Sequence, residues 1–279
     1  MDHKEGFFNG IGSLELYHQC WLPEDKPEAV LLIVHGLGEH CGRYENVVNH
    51  FVPKGYVVYA FDHPGHGRSQ GPRLFVNSFN DFINNLKLFF DKVRQWQSGK
   101  KIFLVGHSMG GLITAAYLLK YQHELAGAVI SAPAVKVSDN LSKIAIFAAK
   151  IISKILPKAG IQQLDAQGIS SDPEVVKAYI NDPLVYNKKV TARLGAELIT
   201  AMEIIADNVE KIILPVIILQ GGADTLVDPG GARMLQEKAG SKDKTLHIYD
   251  GFFHEVFNEP DHSKVLNDVA IWLDRHVLE

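Results

Sequence analysis

The sequence predicts an α/β fold: a mostly parallel central sheet, helices on both of its faces, and an inserted helical cap. Three observations lead there. Val30-Leu31-Leu32-Ile33-Val34 and Val216-Ile217-Ile218-Leu219 are continuous apolar runs, as expected of strands buried on both faces beneath helices. Such runs alternate with helical stretches, and this βαβα rhythm belongs to a doubly wound sheet. One long stretch, residues 135–209, breaks the rhythm with a helical pattern and no strand.

In chain order, strands are expected at 14–22, 30–35, 56–62, 102–106, 127–131, 215–220 and 245–249. The first fits an antiparallel edge. Helices are expected between them at 44–53, 77–97, 108–121, 230–239 and 262–276. The body then comprises 1–134 and 210–279, and 135–209 forms a cap over the carboxyl edge of the sheet.

Composition narrows the class. A chain of 279 residues, 46% hydrophobic and 22% charged, has material for one large core plus an insertion. The net charge of −4 argues against a nucleic-acid binder, which carries a basic surplus. Residues 1–10 are charged and lack the apolar region of a signal peptide. No apolar run approaches the roughly 18 residues of a spanning helix. Cys20 and Cys41 read as free thiols of a reducing cytoplasm, with a single bridge as the alternative.

The chemistry begins at Gly106-His107-Ser108-Met109-Gly110-Gly111. A strand candidate runs into this G-x-S-x-G turn and a helix candidate leaves it. A sharp strand-to-helix turn presents a serine hydroxyl at the sheet edge, and it is crowded enough to need glycine at 106 and 110. The helix N-terminus favours developing negative charge. The bland alternative is a glycine-rich turn with an incidental serine.

An acyl-transfer serine needs two N–H donors for its oxyanion. Met109, directly after the nucleophile, offers one. Leu37, in the loop His35-Gly36-Leu37-Gly38 after an early strand, offers the other. The acid and base should follow later strands in the order Ser, Asp, His. Asp224 follows 215–220 and His254 follows 245–249. Of the rivals, Asp228 fits a helix cap, His247 lies within a strand, and His262 fits the first turn of the last helix. In this triad Asp224 orients His254, which takes the Ser108 proton and returns it to the leaving alcohol.

Other chemistries lack their signatures. Gly36-Leu37-Gly38 and Gly65-His66-Gly67 miss the third glycine of a dinucleotide loop, and no P-loop lysine follows a glycine run. His254-Glu255-Val256-Phe257-Asn258 begins like a zinc-protease motif without its second histidine. His63 and His66 flank a Pro-Gly turn and read as structural. No cofactor and no metal are expected.

At these residues the chain resembles the monoacylglycerol lipase and lysophospholipase branch of the α/β-hydrolases. The likeness runs through His35-Gly36-Leu37-Gly38-Glu39-His40-Cys41-Gly42-Arg43-Tyr44, Asp62-His63-Pro64-Gly65-His66-Gly67-Arg68-Ser69 and Gly106 to Gly111. It continues through Asn181-Asp182-Pro183-Leu184, Gln220-Gly221-Gly222-Ala223-Asp224 and Tyr249-Asp250-Gly251. The resemblance implies an α/β-hydrolase fold and a cytoplasmic or membrane-peripheral enzyme that cleaves one acyl chain from glycerol. It places Arg43 and Tyr179 near the polar end of the substrate pocket, with Glu39 paired to Arg43. An ion pair that braces the oxyanion loop is the alternative for Glu39 and Arg43. The chain departs from the family at Phe257, where the lipases often carry a second histidine near the glycerol. That departure leaves room for a broader carboxylesterase or a lysophospholipase. A non-catalytic binding protein of the same fold is the remaining alternative.

Within the cap, 141–156 reads as an amphipathic helix. At about 100° per residue, Lys143, Lys150 and Lys154 gather on one side, flanked by Ser142 and Ser153. Ile144, Ile151, Ile152, Ile155 and Leu156 lie mostly opposite. The first expectation is that the apolar side packs on the body and the lysines face water. The second is a lid whose apolar side touches lipid. The expected partners are therefore a lipid ester substrate and a transient membrane surface, with no nucleic acid.

Overall fold

The computed structural model describes residues 1–137 and 142–278, and for 143–145 the backbone alone. Eight strands form the main sheet: β1 (Asp2–Asn9), β2 (Glu15–Leu22), β3 (Ala29–Val34), β4 (Tyr56–Phe61), β5 (Ile102–His107), β6 (Gly127–Ser131), β9 (Val216–Gly221) and β10 (Lys244–Tyr249). Their spatial order is β1-β2-β4-β3-β5-β6-β9-β10. Every neighbouring pair from β4 to β10 is parallel, and β1 and β2 add an antiparallel margin.

The alternation along β3 shows how the core divides. Val30, Leu32 and Val34 face one side of the sheet, Leu31 and Ile33 the other, and all are buried. The first side is covered by α2 (Asn80–Trp96), α3 (Met109–Tyr121) and α7 (Gly230–Lys238). The second is covered by α1 (Glu45–Phe51) and α8 (His262–Leu278). Within α2, Phe82, Leu86, Phe89, Phe90 and Val93 recur at helical spacing and are all buried. Each such side chain contributes about 1.5–3 kcal/mol relative to exposure.

Two expectations about strands need correction. β1 was not anticipated: it is the edge strand, and β2 lies second, paired to both β1 and β4. Only Phe8 of β1 is buried, so the segment carries almost no apolar alternation and owes its form to backbone pairing. The stretch between β6 and β9 is also not strand-free. It holds α4 (Lys143–Ile155), β7 (Gly160–Gln162), α5 (Pro173–Asn181), β8 (Val190–Thr191) and α6 (Ala192–Asn208). β7 and β8 pair as a short antiparallel ribbon, too brief to leave a periodic signal.

The largest correction concerns α4. Leu141 and the side chains of Lys143 and Ile144 lie outside the described residues. Among the rest, the apolar side faces water: Phe147 is 66% exposed and Ile155 72%, and Ile151, Ile152 and Leu156 are exposed as well. The side turned inward carries Ser153, with Ile146, Ala149 and Lys150 half-buried. The helix packs against α6, to which Lys150 Nζ is tied by Glu203 Oε2 at 2.6 Å. The small and paired residues therefore make the packing face. The expected burial of the apolar face on the body is overturned.

Candidate active site

Ser108 is the hinge between β5 and α3 and has φ 54° and ψ −117°. A non-glycine residue rarely holds such a conformation, and surrounding structure must over-determine it. That constraint is visible on both sides. A Cβ on Gly110 would collide with the Val34 carbonyl oxygen, and one on Gly106 with the Thr114 hydroxyl and the Gly110 carbonyl. The turn is wedged against β3, and only glycine at 106 and 110 lets the serine emerge.

Ser108 and His254 line one cavity of about 280 Å³. Its walls include Leu37, Met109, Leu164, Leu198, Met202 and Leu226, so it is largely apolar. The Ser108 hydroxyl makes no hydrogen bond among the described residues. Nucleophile–base contacts in unliganded hydrolases are commonly loose. Leu37 N–H and Met109 N–H likewise have no partner among the described residues. Two backbone donors are thus left free beside the serine, where an oxyanion would need them.

His254 follows β10, and its Nδ1 lies 2.8 Å from Asp224 Oδ2. A carboxylate only accepts, so Nδ1 carries the proton and Nε2 is left as the basic nitrogen. Asp224 is held as firmly. Gln220 Nε2 donates to Oδ2 at 2.9 Å, and the N–H groups of Leu226 and Val227 donate to Oδ1 at 2.8 and 3.2 Å. Burial alone would raise this carboxyl. The bond from His254 and the backbone donors outweigh it, and the pKa lies below the ordinary aspartate value. Asp224 therefore stays ionised beside the imidazole. The His107 ring sits 4.7 Å from that of His254, and its Nδ1 is 3.2 Å from Ser131 Oγ. Burial, aided by His254, lowers its pKa to about 3, so it meets His254 as a neutral ring.

Arg43 ties the oxyanion loop to the histidine loop. Its Nη1 is 3.0 Å from Glu39 Oε2, and Glu255 grips it through two contacts of 2.6 and 2.8 Å. Glu39 Oε1 accepts from Gly36 N–H at 2.6 Å and from the Tyr44 hydroxyl at 2.9 Å. Tyr179, on α5, lays its ring 4.7 Å from the guanidinium carbon. Burial raises the Glu39 carboxyl and Glu255 adds to the rise, against the pull of Arg43. Burial would raise Glu255 too, but the Arg43 charge overrides it and holds its pKa at about 2.

Glu255 was not singled out in the sequence, because nothing local marks it as the partner of a residue 212 positions away. Gln220 and Tyr44 support residues only four and five positions away, and His107 one 24 away, but no periodicity or motif in the sequence sets these side chains apart as hydrogen-bond partners. Phe257 takes another place from the one the resemblance implied. It is buried in the core with Tyr44, Val47 and Val265, and it does not line the cavity that Ser108 faces. Asp228 stands one residue before Pro229, the N-cap of α7, so it is not itself the cap; it accepts from Gly230 N–H at 2.7 Å and pairs with Lys136 at 2.7 Å. His247 lies in β10 and His262 begins α8, both away from the cavity walls. His63 and His66 are buried around His35, with ring centroids 4.2 and 5.3 Å from it. Cys20 and Cys41 are both buried and unpaired.

A serine on a strained strand-to-helix turn, with an aspartate-held histidine beside it on a parallel sheet, defines a serine hydrolase of the α/β-hydrolase fold. The chain belongs to the family described as serine aminopeptidase, S33, whose pattern it matches over residues 25–261. It is 35% identical to a monoacylglycerol lipase of Mycolicibacterium smegmatis, over 98% of each chain. It is 32% identical to the human monoglyceride lipase, over 93% of this chain and 87% of that one. The crystal structure of a Paleococcus ferrophilus monoacylglycerol lipase superposes with a TM-score of 0.85 at 34% identity, covering 94% of this chain and 99% of the other.

Proposed function

We propose that this chain hydrolyses monoacylglycerols to fatty acid and glycerol through an acyl-enzyme on Ser108. The observation that carries the reading is Ser108, at positive φ, opening with His254 onto one apolar cavity of about 280 Å³. The acyl chain lies in that cavity, which aligns the ester carbonyl with the serine. His254 Nε2 takes the hydroxyl proton as Oγ attacks the carbonyl carbon. The N–H groups of Leu37 and Met109 receive the oxyanion. Collapse of the tetrahedral intermediate breaks the ester C–O bond, and His254 passes its proton to the departing glycerol oxygen. A water molecule, deprotonated by the same nitrogen, then releases the fatty acid. Asp224 holds the ring throughout and stabilises its cationic form. Residues 135–209 serve as the lid over this cavity and 1–134 with 210–279 as the body. The exposed apolar side of α4 meets the lipid surface that holds the substrate.

One observation favours a second reading, a broader carboxylesterase or lysophospholipase. Arg43 is fully engaged by Glu39 and Glu255, and Phe257 is buried away from the cavity. Neither the guanidinium nor the position of the family's second histidine is then open to a glycerol. The test is release of fatty acid from matched monoacylglycerols, lysophospholipids and short p-nitrophenyl esters, with fluorophosphonate labelling of Ser108. The first reading requires the highest kcat/KM on monoacylglycerols. Equal or higher values on lysophospholipids or short esters establish the second.

A further inference from the structure

On the outer surface a cleft of about 430 Å³ lies between the loop after β4 and the β7–β8 ribbon. Arg73, Lys158, Lys188 and Lys189 line it, all four exposed, and no carboxylate does. None of the four is ion-paired among the described residues. Lys158 sits 5.9 Å from the Phe75 ring centroid and Lys188 5.6 Å from that of Tyr186. Aromatic faces of this kind hold an ammonium group in place but leave its charge uncancelled. Both walls are anchored: Thr191 Oγ1 donates to the Leu74 carbonyl at 2.6 Å, and Tyr186 N–H to the Gly38 carbonyl at 2.8 Å. Acidic residues outnumber basic ones 32 to 28 in this chain. Four cations gathered without a counter-charge therefore form a local reversal of the overall field.

The cleft is placed beside an apolar surface. Phe147, Ile151 and Ile155 recur every four residues along the exposed side of α4, and Lys158 follows three residues later. Ile161, also exposed, lies on β7 just past it and lines the cavity that Ser108 faces. An apolar row that ends in unpaired cations is the arrangement that inserts among acyl chains while meeting negative headgroups. We infer that this cleft binds the phosphate headgroups of anionic phospholipids and orients the protein on a negatively charged bilayer. The inference rests on the lipid-facing reading of α4 and adds to it the sign of the surface.

The test is co-sedimentation of the full chain with phosphatidylcholine vesicles and with vesicles in which about a third of the lipid is phosphatidylserine. The parent should bind the phosphatidylserine vesicles at least about tenfold more tightly. Raising salt from about 0.1 M to about 1 M, which shortens the screening length from about 10 to about 3 Å, should erase the preference. So should the combined variant R73Q/K158Q/K188Q/K189Q, whose turnover of a short soluble ester should match the parent. K188Q/K189Q alone, a milder change, should lose part of the preference. Equal binding of the parent to both vesicles overturns the headgroup site and leaves the α4 reading standing. Binding to neither overturns both. Saturable binding of inorganic phosphate that the combined variant loses, with no preference between vesicles, overturns the bilayer role in favour of a soluble anion.

Discussion

The histidine loop and α4 are built in opposite ways. Around His254 nearly every polar group is paired. Asp224 accepts four hydrogen bonds, Arg43 bridges two buried carboxylates, and the N–H of Glu255 donates to the Ile169 carbonyl at 2.7 Å. On α4 the side chains that stand out, Phe147, Ile151 and Ile155, are exposed and apolar. Directional bonds fix a few atoms to within tenths of an ångström, as proton transfer demands. Non-directional apolar surface tolerates many poses, as a fluid lipid surface demands. The contrast teaches that damage on one side should strike the chemical step and damage on the other the supply of substrate.

The contrast can be broken most severely at the triad. Ser108→Ala should abolish fluorophosphonate labelling and lower kcat by ~10⁴-fold or more, and Asp224→Asn should cost about 10⁴-fold through the wrong imidazole tautomer. Both losses should be equal on soluble and lipid-borne esters, measured as released acid. A deficit confined to lipid-borne substrate would erase the distinction between the two sides.

Next in size is stability. Arg43→Met strands two buried carboxylates, and removing one partner of such an arrangement costs about 3–5 kcal/mol. Ile151→Ser with Ile155→Ser, on the exposed side of α4, should change stability by less than about 0.5 kcal/mol per site. Urea unfolding of the variants checks both. A large loss in the α4 variant would mean that its apolar side is covered in solution.

The acid limb sharpens the same point. The Glu255 pKa lies at about 2, below the ordinary glutamate value of 4.5. Its ion pair therefore stabilises the fold fully above the unfolded value, and the stabilisation drains away as pH falls from there through the folded one. The parent should exceed Glu255→Gln in melting temperature near neutrality, with the gap closing as pH falls from 4.5 toward 2. A pH-independent gap would show that shape, not charge, makes this contact.

The smallest effect is the most selective. The double α4 variant should keep parental kcat/KM on a short soluble ester and lose several-fold in rate on long-chain substrate presented in vesicles. Equal rates on both would remove lipid contact from α4.

Much of this architecture was legible because its signals are contiguous. Unbroken apolar runs at 30–34 and 216–219 announce β3 and β9, and five residues around Ser108 state their own steric reason. Chain order then pointed to Asp224 and His254, which the fold brings 2.8 Å apart. What escaped was either too short or too distant: the β7–β8 ribbon, the scarcely apolar β1, and Glu255, whose partner Arg43 lies 212 positions back.

The sequence by itself determined seven of the eight strands of the sheet, the crowded serine turn and the two-sided character of α4, because each depends on residues close along the chain. Only the tertiary structure decided which side of α4 meets water and which carboxylates share Arg43. A helical period marks out two faces without saying what covers either one. Here a small and ion-paired face docks on α6, and the oily one is left outward.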